Sequence, residues 1–250
     1  MDKFYEKLNI PNNCLVDQTV FKKEFLSNAD LLSSDKKIIN EHIKKVVWKY
    51  CLKPDTINVQ PYKSEERDYL EIEVIEVQLN EISKIKRIAE IVMRSIPYPI
   101  LLVLTSGSKI QLVIGDMRKN LSDSSKVTVD DFIYSDWIDL QDIDDYSAKL
   151  FNDLNIKNLS YTNFYEMYKD ITEKVNLYNI SKTKGEIIET KVGVSNSDIR
   201  ESYNRINIID EQIKTIENQL KKDSSISEKV EASLKLKQLK DEKENLLKKI

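Results

Sequence analysis

A chain of 250 residues in which 39 Lys and Arg face 42 Asp and Glu has a formal net charge of only -3, so bulk charge draws it to neither nucleic acid nor membrane. Its 32% charged content is that of long solvated helices attached to a globular body. The longest apolar run, about nine residues around Ile96 to Leu104, is far short of the roughly 20 that span a bilayer. Met1 to Ile10 is charged and lacks a long apolar core, so no secretory leader is expected. Cys14 and Cys51 sit far apart in no CxxC spacing, and a reduced, cytoplasmic protein follows as the expectation.

In chain order, Ser33, Ser34 and Asp35 offer caps for a helix whose apolar positions Ile39, Ile43, Val46, Val47 and Tyr50 recur at helical spacing, with Pro54 just past its end. Thr56–Gln60 (TINVQ) and Asp68–Leu79 (DYLEIEVIEVQL) are read as extended. In the second, Leu70, Ile72 and Val74 share a face and Ile75, Val77 and Leu79 continue in the opposite phase. That flip predicts a bulge or a strand covered on both sides. Ile85, Ile88, Ala89, Val92, Met93 and Ile96 trace an amphipathic helix that Pro97 ends. Because a proline pushes the residue before it toward extended geometry, Pro97 and Pro99 turn helix into strand within a few residues. ILLVLT, the turn SGSK with Gly107 free to take positive φ, and IQLVIG then make an antiparallel hairpin. DFIYSDWIDL adds a further extended stretch. Residues 1–180 are therefore expected to form an α+β body, a mostly antiparallel mixed sheet of four or five strands with flanking helices on one face.

Leu150–Tyr178 reads as two short helices, and residues 181–196 as a linker or small hairpin. Residues 197–250 follow as a coiled-coil-like helical hairpin. Ile206, Ile209, Ile213, Ile216 and Leu220 step by three and four; Ala232, Leu236, Leu239, Lys243, Leu246 and Ile250 resume the scheme after KKDSSIS. Either the arms bury each other, or the isoleucine stripe docks on another protein or a second copy. Ile199, Ile208 and Leu247 lie outside the register, which predicts paired arms with one flank left for a partner.

The ordered set HIKKVVWKY, LKPDTINV, YLEIEVIEVQL, SIPYPILLVL, KIQLVIG and FIYSDW, ahead of a charged helical C-terminal segment, resembles a bacterial family of about this length known as a domain of unknown function. Genes of that family lie beside those of helicases and DNA methyltransferases in restriction or phage-defence clusters. The resemblance implies an accessory role next to DNA-acting enzymes, and brings no catalytic residues with it.

His42, the only histidine, lies on the rim of an apolar helix face, which leaves Ser-His-Asp and Cys-His chemistry without a base. With the two cysteines it makes three N or S donors in the whole chain, too few for a typical zinc site, and neither metal nor cofactor is expected. Glu71 and Glu73, on one face of the long strand with Glu76 beyond them, are the most enzyme-like feature. They would serve a Mg²⁺-dependent nuclease of restriction-endonuclease-like fold, although the Glu-x-Lys such a site needs is missing from the strands. Alternating solvated carboxylates explain them more simply. On the first expected helix Lys37, Lys44, Lys45 and Trp48 fall at i, i+7, i+8 and i+11, a basic stripe ending in an aromatic, and Lys84, Arg87 and Arg94 line the solvent side of the second. These are the candidate DNA contacts. Seven aspartates between Asp130 and Asp145 flank Trp137, a candidate interface anchor beside the stripe Ile206, Ile209, Ile213 and Ile216. The expected function is a non-enzymatic adaptor that binds a helicase, nuclease or methyltransferase.

Overall fold

A computed structural model describes residues 2–28, 31–120, 127–188, 196–220 and 226–249. In chain order the elements are α1 (Asp2–Leu8), a 3-10 turn (Asn12–Cys14), β1 (Leu15–Val20), α2 (Lys22–Asn28), α3 (Ser33–His42), β2 (Ile43–Leu52), β3 (Tyr62–Lys63), β4 (Asp68–Tyr69) and β5 (Ile72–Leu79). There follow α4 (Ile85–Ser95), β6 (Ile100–Ser106), β7 (Lys109–Lys119), β8 (Val127–Tyr134), β9 (Ile138–Asp139), α5 (Asp145–Asp153), a second 3-10 turn (Ile156–Asn158), α6 (Phe164–Lys184), α7 (Asn196–Leu220) and α8 (Ile226–Lys249). They divide into two units, Met1–Asn179 and Ile180–Ile250, and α6 runs through the boundary.

In the first unit the sheet order is β1-β2-β5-β6-β7-β8, with β9 paired to β7 and β3-β4 forming a separate ribbon. Among the described residues one pair of strands, β5 and β6, is parallel. Its crossover is α4, and Pro97 and Pro99 stand where that helix must give way to β6. The next turn places Gly107 at φ 59, and β6 returns as β7 in the expected antiparallel hairpin. The phase flip in β5 is coverage on both sides, since Ile72 through Val77 are all buried. Helices cover both faces, not the one expected. Leu8, Leu154, Ile156 and Ile171 meet Ile72, Val74 and Leu101 around a small apolar cavity, while α4 packs against β6 and β8 on the other side. There Met93 approaches Gly115, where a side chain would also strike Val129 at 2.5 Å.

The helix expected to run to Tyr50 stops at His42, and Ile43–Leu52 is a strand. Its apolar spacing fits a helix, but Val46, Val47, Trp48 and Tyr50 are β-branched or aromatic, and two ladders, to β1 and β5, hold it extended. Val46 and Val47, adjacent, are both buried because they enter opposite faces. TINVQ is a loop, not a strand: the Thr56 hydroxyl accepts from the Lys53 amide at 3.0 Å, and Ile57 and Val59 are buried from that turn. Both outer strands are irregular. The β1 register shifts between Leu15 and Gln18 around Asp17, and the β8 register shifts around Asp131, each aspartate at φ 47.

Residues 181–184, expected in a linker, are the last turn of α6, because the helix carries no glycine until Gly185, at φ 78. Residues 189–195 of that stretch lie outside the described residues. In the second unit Ile209, Ile216 and Leu239 are buried between α7 and α8, with Ile213, Leu220, Ala232, Leu236 and Leu246 packed around them. Arg205–Glu242 at 2.8 Å and Asp210–Lys243 at 2.6 Å bridge the two helices. Lys243 thus leaves the seam that its spacing assigns it.

Candidate functional site

The strongest chemical grouping lies where β2 ends, β5 begins and the α4–β6 turn returns over both. Cys51 pairs in register with Glu73 across the β2–β5 ladder, and Glu73 pairs with Ile100 across β5–β6. The Glu73 amide donates to the Pro99 carbonyl at 2.9 Å, which ties the proline turn to the strand and brings Tyr98 beside Glu71. One potential ligand atom from each of Cys51, Glu71 and Glu73 lies within 4.8 Å of the other two. The Cys51 thiol donates to Glu71 Oε2 at 3.7 Å, and the Trp48 indole N–H donates to Glu73 Oε2 at 2.5 Å.

Burial governs the charge state of this group. Glu73 is only 2% exposed, and burial pushes its carboxyl up to about 7, opposed by the Trp48 N–H and reinforced by the like charge of Glu71. Cys51, 7% exposed, is pushed up to about 12 by burial and then by Glu73 and Glu71. The Tyr98 hydroxyl is raised by burial and by the same two carboxylates. Burial therefore disfavours the charged forms of both the thiol and the Glu73 carboxyl, and a cation placed between them would favour those forms again.

Glu76 lies on the opposite face of the same strand. It is 4% exposed and satisfied by donors: the Tyr5 hydroxyl reaches Oε2 at 2.9 Å and the Gln78 amide reaches Oε1 at 2.8 Å. Lys49 stacks over the Tyr5 ring and pairs with Asp17 at 2.6 Å.

The basic stripes are not assembled as expected. Lys37 is on α3, whereas Lys44, Lys45 and Trp48 are on β2, where a 3.6-residue period aligns nothing, and the Trp48 indole is turned to Glu73. Arg87 is clamped by Asp35 at 2.7 and 2.6 Å and by Glu90 at 2.6 Å, and Arg94 binds Glu90 at 2.7 Å. Lys84 is exposed at the head of α4 with φ 55. His42 Nδ1 faces both Ser83 Oγ at 2.9 Å and Glu81 Oε1 at 3.0 Å, a local tie at the end of β5 in which one nitrogen serves both partners. Trp137 is half-buried and packs against the core of its own unit. Of the isoleucine stripe, Ile206, Ile209 and Ile216 are buried and Ile213 is half-buried, while Ile208 is exposed.

Cys51 and Tyr98 went unread as site residues. Cys51 is separated from Glu73 by the β3–β4 excursion and meets it only through strand register, so no spacing announced it; Pro97 and Pro99 around Tyr98 were the one available signal. The chain belongs to the family described as Domain of unknown function (DUF4391), which matches residues 8–242. No curated protein and no solved structure matches it.

Proposed function

We propose that this member of the family is a non-enzymatic accessory subunit of a DNA-acting restriction or phage-defence complex, docked through its helical hairpin on a helicase, nuclease or methyltransferase. One observation carries the reading. The α7–α8 seam is already filled by its own residues, yet Val230 and Leu234, one turn apart on α8, are 55% and 61% exposed, and Ile208 on α7 is exposed too. Apolar side chains that the seam does not use are what a helix-docking partner buries. Contact with DNA enters through Lys44, Lys45 and Lys84, since Arg87 and Arg94 are held by acidic neighbours and Lys37 pairs with Glu41 at 3.9 Å. The test is recovery of the tagged full chain from its native host with mass spectrometry. A Val230→Asp/Leu234→Asp variant, still helical by circular dichroism, is expected to lose the DNA-acting partner; recovery of the wild-type chain alone at every salt concentration sinks the proposal.

A second reading is supported by the convergence of Glu71 and Glu73: a Mg²⁺-dependent nuclease using the two carboxylates. It requires metal-dependent DNA cleavage that Glu71→Gln and Glu73→Gln both abolish. Cys51 as the third donor weighs against it, because Mg²⁺ takes oxygen ligands.

A further inference from the structure

We propose that Cys51, Glu71 and Glu73 form a site for a borderline-soft divalent cation of the zinc class. Their donor atoms lie within 4.8 Å of one another, and Cys51 Sγ already stands 3.7 Å from Glu71 Oε2. Tetrahedral zinc with sulfur at about 2.3 Å and oxygen at about 2.1 Å separates those two ligands by about 3.6 Å, so the thiol and one carboxylate are at ligating separation. The remaining donor closes in by rotation of a glutamate side chain. Backbone register holds two of the three donors, since Cys51 and Glu73 face each other across the ladder, and Glu71, two residues along the chain from Glu73, is half-buried.

Two further observations point to a cation. Among the described residues neither Glu71 nor Glu73 forms an ion pair with Lys or Arg, although Glu73 is almost wholly buried, and buried carboxylates without a counter-charge are costly. Trp48 donates its N–H to Glu73 Oε2, the kind of outer contact that orients a ligating carboxylate. The thiol selects against Mg²⁺ and Ca²⁺ and for zinc-like ions. On loading, the Cys51 S–H gives its proton to solvent and the sulfur binds as thiolate, while three protein donors leave a fourth position to water.

The experiment titrates the chelator-stripped full chain with Co²⁺ and then displaces it with Zn²⁺. Saturation at one equivalent is expected, with a near-ultraviolet sulfur-to-cobalt charge-transfer band that Zn²⁺ removes and Mg²⁺ does not. Cys51→Ser should abolish the band, Glu73→Gln and Glu71→Gln should each weaken binding at least roughly tenfold, and Cys14→Ser should change nothing. Circular dichroism establishes that each variant is folded; if a buried-site variant is not, Glu71→Gln decides alone. Absence of saturable Co²⁺ binding by the wild type, or undiminished binding in Glu71→Gln, overturns the site. A band that survives in folded Cys51→Ser overturns the zinc-class assignment.

Discussion

Strand β5 buries two glutamates on opposite faces and treats them in opposite ways. Around Glu76 the neighbours are donors, Tyr5 and Gln78, and both carboxylate oxygens are satisfied. Around Glu73 burial and the like charge of Glu71 outweigh the hydrogen bonds of the Trp48 N–H and the Cys51 thiol, and the carboxyl is pushed up to about 7. A buried carboxylate supplied with donors is a structural tie. One buried beside a second carboxylate keeps an unmet demand for positive charge, and that is the mark of a site.

The largest effect that would break this contrast is expected from Glu76→Ala, which strands the Tyr5 hydroxyl and the Gln78 amide and opens a cavity. It should cost about 4 kcal/mol in urea unfolding at pH 7; a loss of under about 1 kcal/mol would mean those donors find other partners. Glu73→Gln should act with the opposite sign in metal-free protein. Between the usual 4.5 and about 7 the folded carboxyl keeps a proton that the unfolded chain has released, so stability falls as pH rises through that window. Above pH 7 the accumulated cost is about 3 kcal/mol, and the variant should recover it at pH 8 with no gain at pH 4. Equal stabilities of the two proteins at both pH values would place Glu73 among the ties. Trp48→Phe removes the indole donor to Glu73 and should destabilise by about 2 kcal/mol at pH 8, and by less at pH 4, where the carboxyl is neutral. Smallest is Tyr5→Phe, about 1 kcal/mol, because Gln78 still donates to Glu76.

Sequence made one half of this picture legible. Helix α4, the proline turn and the β6–β7 hairpin follow from a clean 3.6-residue period, two prolines and Gly107, all local signals. Strand β2 was hidden because Ile39, Ile43, Val46, Val47 and Tyr50 satisfy helical spacing, and only pairing with β1 and β5 decides between the periods. Glu71 and Glu73 were visible as neighbours two apart on a strand. Their company was not: Cys51 arrives through register and Tyr98 through the parallel return of β6, both long-range. Counting nitrogen and sulfur donors along the chain therefore missed a grouping in which two of three donors are oxygens.

The outer strands carry a different consequence. A regular sheet edge is an open row of amides and carbonyls, on which a neighbouring molecule in a crowded solution can lay down another strand. Here both outermost strands are interrupted mid-length by an aspartate in the left-handed conformation, Asp17 in β1 and Asp131 in β8, each with a register shift beside it. The bulge twists the edge and leaves a backbone group out of step, so the ladder spacing of about 4.8 Å is not continued from one molecule to the next. The chain thereby carries at each border of its sheet a safeguard against fibrous self-association.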